Sequence, residues 1–513
     1  MHRGQIASNT VPDPVVRYLR GRDLKMLVGG KFVDASDGTT SAVVDPSTGE
    51  VVGAVPSATG ADVERAVETA REAQGAWEAL GVDGRGACFQ RFAELLQSHR
   101  EELAVIDAIV SGNPVRAMRV DIDLVLPYLR GWPQLARWLT GEVIPGSAGN
   151  LHYTSYRPYG VVGRITAFNH PVMFAATRPL PALIAGNTIV MKPAPPAAAA
   201  ALVLAESFAE AFPPGVVNIV TGGAQVGDAL VTHDGVKRIA FTGSVPTALT
   251  IQRRAAESGH VKHISLELGG KNAMVVFPDF EIDEAVEGAI FGMNFNVCQG
   301  QSCGSNSRVL VHRAIYDGFV SRAAQRLREY TVGVAYEDAT DMGPLVSANQ
   351  RDRVAGYLET GMREGATLVT GGEHPEGAPV GGYFLTPAVF ADVKPTMRIA
   401  QEEIFGPVLS VLPWGDYEEM LALANGVNLG LTASVWTHDL DLAHQVAERL
   451  DAGYVWVNDS AKHYFGTPFG GTKDSGIGRE ESREELLSYM ETKVVNVRFR
   501  DPPGVFVRMI SGR

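Results

Sequence analysis

Cysteine is scarce in this chain, with 3 in 513 residues. So few thiols cannot form a disulfide framework, and a reducing compartment is expected. Long hydrophobic runs are missing too. None reaches the roughly 18 residues that a bilayer-spanning helix needs. The opening stretch MHRGQIASNTVPDPVVRYLRGRD lacks the apolar core of a signal peptide. Positive charge is in deficit: 45 Lys and Arg against 58 Asp and Glu leave a net −13, spread along the chain. That balance gives no electrostatic reason to seek nucleic acid or anionic lipid. The expectation is a cytoplasmic protein with neither nucleic acid nor membrane as a partner. Intrinsic disorder is excluded as well, because 45% hydrophobic and 20% charged residues is ordinary globular composition. At this length about three domains, or two large ones, are expected.

Glycine is what the chain has in excess, 56 residues against an average share of about 7%. Most fall where short β-rich runs give way to helical ones, which reads as turns. From Val161 onward the pattern is regular. VVGRITAF, NTIVMK, VVNIV, RIAFT and HISLEL read as strands. Between them RPLPALIAG, PPAAAAALVLAESFAEAF, QVGDALVTH and VPTALTIQRRAAESG read as helices. Apolar strands alternating with helices predict a parallel sheet buried on both faces. A second alternating block follows Gly269-Gly270, with NAMVVF, the helix IDEAVEGAIFGMNF, RVLVH, a helix near Ser321–Tyr330, VLSVLPW, LTASVWT and GYVWVN. Two α/β units therefore meet near Gly269, and the first 140 residues complete the first unit.

Several residues suit chemistry. Cys303, in QGQSCGS, sits in a glycine-flanked turn where backbone N–H groups favour a thiolate; the alternative is an inert core cysteine. Cys298 and Cys88 read as packing residues. The same stretch, Gly300-Gln301-Ser302-Cys303-Gly304, matches the G-x-S-x-G serine-hydrolase elbow. That motif needs a strand entering and a helix leaving, whereas here helix precedes and strand follows. Glu267 closes the apolar strand HISLEL. Burial there raises a carboxyl toward neutrality, as a general base requires, unless it is a structural ion pair with Lys271. Asn169, in ITAFNHP, lies at the C-terminal end of a strand, where open α/β sheets bind ligands, and its amide can donate to an oxyanion. No G-x-G-x-x-G fingerprint is present where a dinucleotide fold expects it. Instead Phe241-Thr242-Gly243-Ser244 links a strand to a helix whose free N–H groups suit a phosphate.

Taken together and in order, FNHP (168–171), MKPAP (191–195), FTGS (241–244), LELGGK (266–271), GQSC (300–303), EEIFGP (402–407) and PFGGTKDSG (468–476) resemble the NAD(P)-dependent aldehyde dehydrogenase superfamily. The resemblance runs from about residue 25 to about Val497. It implies an α/β fold with a Rossmann-type cofactor domain (25–140 and 160–268), an α/β catalytic domain (269–482) and a β oligomerisation arm (141–159 and 483–500). A homodimer or homotetramer is implied with the arm. By the same resemblance Cys303 is the nucleophile, Asn169 an oxyanion donor, and Glu267 the base that activates water. NAD or NADP is the implied cofactor, with contacts at Thr166, Phe168, Lys192, Pro195, Gly227, Gly243, Ser244, Leu268, Glu403 and Phe405. No metal is expected.

The chain departs from the family pattern at several points. Pro195 stands where NAD-preferring members commonly carry a Glu that grips ribose hydroxyls, so NADP use is plausible. His170 follows the oxyanion Asn where an aromatic is frequent. Cys298 replaces a frequent Asn. Arg178 replaces a frequent Lys, either to meet a substrate carboxylate or to form a structural ion pair. Pocket candidates are His170, Met173, Phe174, Thr177, Ser302, Asp459 and Phe469, a set that leans toward a hydrophobic or aromatic aldehyde. Glu267 favours hydrolysis to the carboxylic acid over transfer to coenzyme A. The alternative is a cofactor-independent thiol esterase using the same cysteine. A non-catalytic chain would have no physical need to keep Cys303, Glu267 and Asn169 together.

Overall fold

A computed structural model describes residues 14–146 and 149–499. The first of its two large sheets has eight strands. At its centre Val217–Ile219, Thr188–Pro193, Val161–Thr166, Val236–Thr242 and His263–Glu267 lie side by side, all parallel. The first four of these strands are buried almost throughout because both faces are covered, while His263–Glu267 is buried at Leu266 and Glu267. Alternate residues enter different clusters: Ile189 and Met191 pack with Leu183 and Phe208, while Val190 packs with Val67 and Leu230. Met26–Val28 and Lys31–Val33 close one edge as an antiparallel hairpin. Its two-residue turn, Gly29-Gly30, has φ of 60° and 76°, a conformation that glycine adopts without steric cost.

The second sheet has seven strands. Ala273–Val276 and Arg308–His312 are central and parallel, flanked by Val408–Trp414 and Thr432–Trp436. Its residues alternate in the same way, with Val275 and Leu310 in one cluster and Met274, Val276 and Val309 in the other. The two sheets are linked beyond Gly269. Gly476–Ile477 returns to the first sheet and pairs antiparallel with Leu266 and Glu267. A third, three-stranded sheet pairs Asn150–Pro158 with Met490–Arg498 along nine positions, and Val143–Ile144 adds the far strand. Residues 147–148 and 500, which the expected arm includes, lie outside the described residues.

Several helices are shorter than their sequence pattern. The alanine-rich helix spans Ala198–Ala211, and its leading prolines form a separate 3-10 turn, Pro195–Ala197. Proline has no N–H to donate, so the α-helical ladder begins only after both. The helix expected to reach Phe295 ends at Gly292, because Asn294 is left-handed at φ 56°. In RPLPALIAG only Leu180–Ile184 is helical, and the helix sought near Ser321–Tyr330 is Tyr316–Arg328. Among the described residues no helix is long and apolar enough to cross a membrane, and no group of three or more His, Cys, Asp or Glu side chains could hold a metal ion.

Candidate active site

Parallel strands all end at one edge of the sheet, and this register gathers the candidate residues. Ile165 lies opposite both Phe241 and Lys192, Thr166 opposite Pro193, and Thr242 opposite Glu267. Thr166, Lys192, Thr242 and Glu267 therefore form a row at the C-terminal edge, where the loops bearing Phe168, Asn169, Gly243 and Ser244 emerge. Leu268 continues from Glu267, and its N–H donates to the Ser475 carbonyl at 3.0 Å. Ser244 caps the helix Val245–Glu257, but its hydroxyl lies 3.0 Å from that of Thr247 and bonds no backbone N–H.

The GQSC loop comes from the other sheet. A short helix, Phe295–Cys298, lies between the left-handed residues Asn294 and Gln299, and the strand Arg308–His312 follows. This order is the reverse of a serine-hydrolase elbow, so Ser302 is not held on a strand-to-helix turn. Asn272 fixes the loop: its Nδ2 donates to the Cys303 carbonyl at 2.7 Å and to the Ser305 carbonyl at 2.9 Å. Gly270 must be glycine for this approach, since a Cβ there would lie 2.6 Å from the Cys303 oxygen. Its neighbour Gly269 similarly makes room for the Glu403 carboxylate, which accepts the Gly270 N–H at 3.2 Å. Phe405 is left-handed at φ 57° and meets Phe168 edge to face, ring centres 5.6 Å apart. A left-handed phenylalanine is strained, and Gln350 holds it by donating to its carbonyl at 2.6 Å.

Burial sets the protonation of these groups. Glu267 is 6% exposed and its Oε2 has no hydrogen-bond partner. Burial first, then the charge of Glu480, pushes its carboxyl well above the usual range, and Arg178 only partly opposes this. The alternative of an ion pair with Lys271 is not realised, because Lys271 Nζ is buried without a partner and pushed down to about 7 by burial and by Arg308. The Cys303 thiol is pushed up to about 12 by burial, Glu403 and Glu267. The expectation of a turn favouring a thiolate is thereby corrected: burial outweighs the loop, and the two carboxylates add to it. Glu403 rises to about 7 through burial, opposed by the Gly270 N–H. Burial brings Lys192 down to about 8, and its Nζ donates only to the adjacent Pro193 carbonyl, at 3.1 Å. Gly227 lies beside it, where a Cβ would come 3.7 Å from Lys192 Cδ.

Beyond Asn169 the chain enters the helix Pro171–Thr177, which carries Met173, Phe174 and Thr177. The Thr177 hydroxyl donates back to the Met173 carbonyl at 2.7 Å. Asp459 is held within its own loop by the Ser460 N–H, the Tyr464 hydroxyl and Lys462, whereas Phe469 is buried against the His463 and Tyr454 rings. Arg178 forms a structural ion pair, 2.8 Å from Glu480 and 3.5 Å from Glu481, and Arg164 reaches Glu480 at 2.7 Å. Glu480→Ala leaves two buried guanidinium groups without their shared carboxylate. The expected result in calorimetry is a loss of about 3–5 kcal/mol of stability, while an unchanged melting temperature would show that the pairs contribute nothing.

Sequence reasoning passed over four residues that organise this site. Asn113 donates to the Asn169 carbonyl at 2.9 Å, and Asn272 locks the cysteine loop. Arg164, in the apolar strand VVGRITAF, carried the same signal as Glu267: a charge where burial demands a partner. Asp121 lies on the buried side of the helix Val115–Arg137 and is 4% exposed, a carboxylate on an apolar helix face.

The sequence profile of the aldehyde dehydrogenase family matches residues 32–495. Aldehyde dehydrogenase tropH of Talaromyces stipitatus is 43% identical over 91% of this chain and 92% of its own length. Among solved structures, an NAD+ complex of aldehyde dehydrogenase from Bacillus cereus is 40% identical, with a TM-score of 0.91 over 95% of this chain and 99% of that one. A betaine aldehyde dehydrogenase from Staphylococcus aureus in complex with NAD+ is 32% identical, with a TM-score of 0.92 over 96% and 98% of the two chains. A family match along nearly the whole chain, on the fold and motif order described above, carries one conclusion: this chain belongs to the aldehyde dehydrogenase family.

Proposed function

We propose that this NAD(P)-dependent aldehyde dehydrogenase oxidises a hydrophobic or aromatic aldehyde to its carboxylic acid through a covalent adduct on Cys303, without coenzyme A. The observation that carries this reading is the unpartnered oxygen of buried Glu267, a carboxylate whose charge acts on the Cys303 thiol. Cys303 gives its thiol proton to solvent before it attacks, and a buried carboxyl with a raised pKa suits the later task of taking a proton from water. Cys303 Sγ then bonds the aldehyde carbon, and the Asn169 amide with the Cys303 N–H stabilises the resulting oxyanion. Once the adduct is a thioester, Glu267 takes a proton from water, whose oxygen attacks the acyl carbon and releases the acid and the thiol.

The residues present fit a dinucleotide. Lys192 is a buried amine with spare donors, and Glu403 is only partly bonded; these suit ribose hydroxyls. Gly243 and Ser244 suit the pyrophosphate at the helix start, and Thr166, Phe168, Pro195, Gly227, Leu268 and Phe405 line the same edge. When bound, NAD(P)+ supplies the hydride acceptor. The solved relatives described as NAD+ complexes support this assignment. We assign residues 25–140 and 160–268 to the cofactor domain, 269–482 to the catalytic domain, and 141–159 with 483–500 to an arm that joins copies into a homodimer or homotetramer.

Absorbance of NAD(P)H over a panel of aldehydes tests this function. Aromatic or long-chain aldehydes should be oxidised with the acid as product, and turnover of activated esters with no cofactor-dependent oxidation would favour the thiol esterase instead. Pro195 places no carboxylate against a 2′-phosphate, so NADP+ should give a kcat/KM within about tenfold of NAD+. Pro195→Glu should cost NADP+ at least about tenfold by like-charge repulsion. Strict use of NAD+ by the unaltered enzyme would show that another group excludes the phosphate.

A further inference from the structure

Two carboxylates anchor the start of the helix that follows Asn169. Asp107, from the helix Arg100–Ser111, accepts the Val172 N–H at 3.2 Å. Asp121, from the helix Val115–Arg137, lies 2.6 Å from His170 Nδ1. A carboxylate can only accept, so Nδ1 carries the proton, and in the single-proton tautomer that this bond selects Nε2 presents its lone pair on the other side. Among the described residues Nε2 has no hydrogen-bond partner, and the His170 side chain is 13% exposed. The ring stands 5.4 Å from that of Phe174. Burial first, then the charge of Asp121, pushes the Cys298 thiol up, which places Asp121 near the nucleophile's loop. A half-buried acceptor beside an aromatic ring and next to Asn169 is wasted on a purely apolar substrate, which would leave it unpaired on binding.

We propose that the His170–Asp121 pair selects aldehydes bearing a ring hydroxyl, with Nε2 accepting the hydrogen bond and Phe174 packing against the aromatic ring. This deepens the aldehyde-oxidising reading above and rests on it. A carboxylate-bearing aldehyde suits the pair poorly, because the Asp121 carboxylate stands behind the imidazole. A methoxy group cannot donate and so cannot replace the hydroxyl. His170 is thus a specificity-determining residue, and Asp121 a positioning residue that acts through the ring tautomer.

The test compares benzaldehyde, the three hydroxybenzaldehydes and their methoxy counterparts in steady-state oxidation. In the unaltered enzyme the best hydroxy isomer should exceed benzaldehyde in kcat/KM by about tenfold, mainly through KM. His170→Phe should bring that ratio to about one. Asp121→Asn should level the preference: its amide donates to Nδ1, the proton moves to Nε2, and hydroxy and methoxy oxygens can then both accept, so the methoxy aldehyde gains on the hydroxy aldehyde until the two are nearly equal. A merely structural pair would alter stability or all substrates alike, not this ratio. A ratio near one in the unaltered enzyme at every ring position, or one that survives His170→Phe, overturns the proposal while leaving aldehyde oxidation standing. Oxidation of none of these aldehydes overturns it together with the aromatic-aldehyde reading.

Discussion

Cys303→Ala should lower aldehyde-dependent NAD(P)H formation by at least about 10⁴-fold. Alanine removes the sulfur that carries the acyl group and changes little else. The Asn272 bonds that fix the loop go to backbone carbonyls, which any residue supplies. The variant should therefore fold, melt near the parent temperature and still bind NAD(P)+, because none of the cofactor candidates is touched. Isothermal titration with the cofactor alongside the rate assay separates the two effects. Residual turnover near the parent rate would remove Cys303 from the mechanism and return it to the core-packing role of a free cysteine.

Glu267→Gln should divide the reaction in time. The amide keeps the shape of the side chain but cannot accept a proton, so hydrolysis of the acyl-enzyme should slow by about 10²–10⁴-fold. A first turnover of NAD(P)H, stoichiometric with enzyme, should remain visible in stopped flow, because the thiol gives its proton to solvent. Loss of the burst as well would show that Glu267 is also the acceptor for that first proton. The parent enzyme should show the matching pH dependence. Burial and Glu480 raise the Glu267 carboxyl, so its basic form increases as pH climbs, and the steady-state rate should climb with it. The Cys303 thiol, pushed up to about 12, has the same sign: alkylation of the cofactor-free enzyme should quicken steadily above neutral pH. A rate flat with pH in both assays would contradict the electrostatics of the site.

The central strands of the two large sheets were legible because most are apolar runs buried on both faces, as the alternation of Ile189, Val190 and Met191 between two clusters shows. The ends of helices were less legible. Whether Asn294 or Pro195 stops a helix depends on left-handed backbone and missing N–H groups, which periodicity does not report. Within the site, Glu267 stood out as a charge in an apolar strand. The environment of Cys303 did not, because Glu403 and Glu267 reach the thiol from distant parts of the chain. Asp121 lies 49 residues before His170 in the sequence, and only the packing of the helix Val115–Arg137 against the helix Pro171–Thr177 brings the two together.

The covalent adduct is the central claim, and mass spectrometry reads it directly. Glu267→Gln enzyme is mixed with aldehyde and NAD(P)+, quenched in acid, and digested. The account predicts one acyl group on the peptide containing Cys303, formed only when both aldehyde and cofactor are present and absent from a Cys303→Ala control. An enzyme that turns over aldehyde while leaving that peptide unmodified, or that carries the acyl group on another residue, would contradict it.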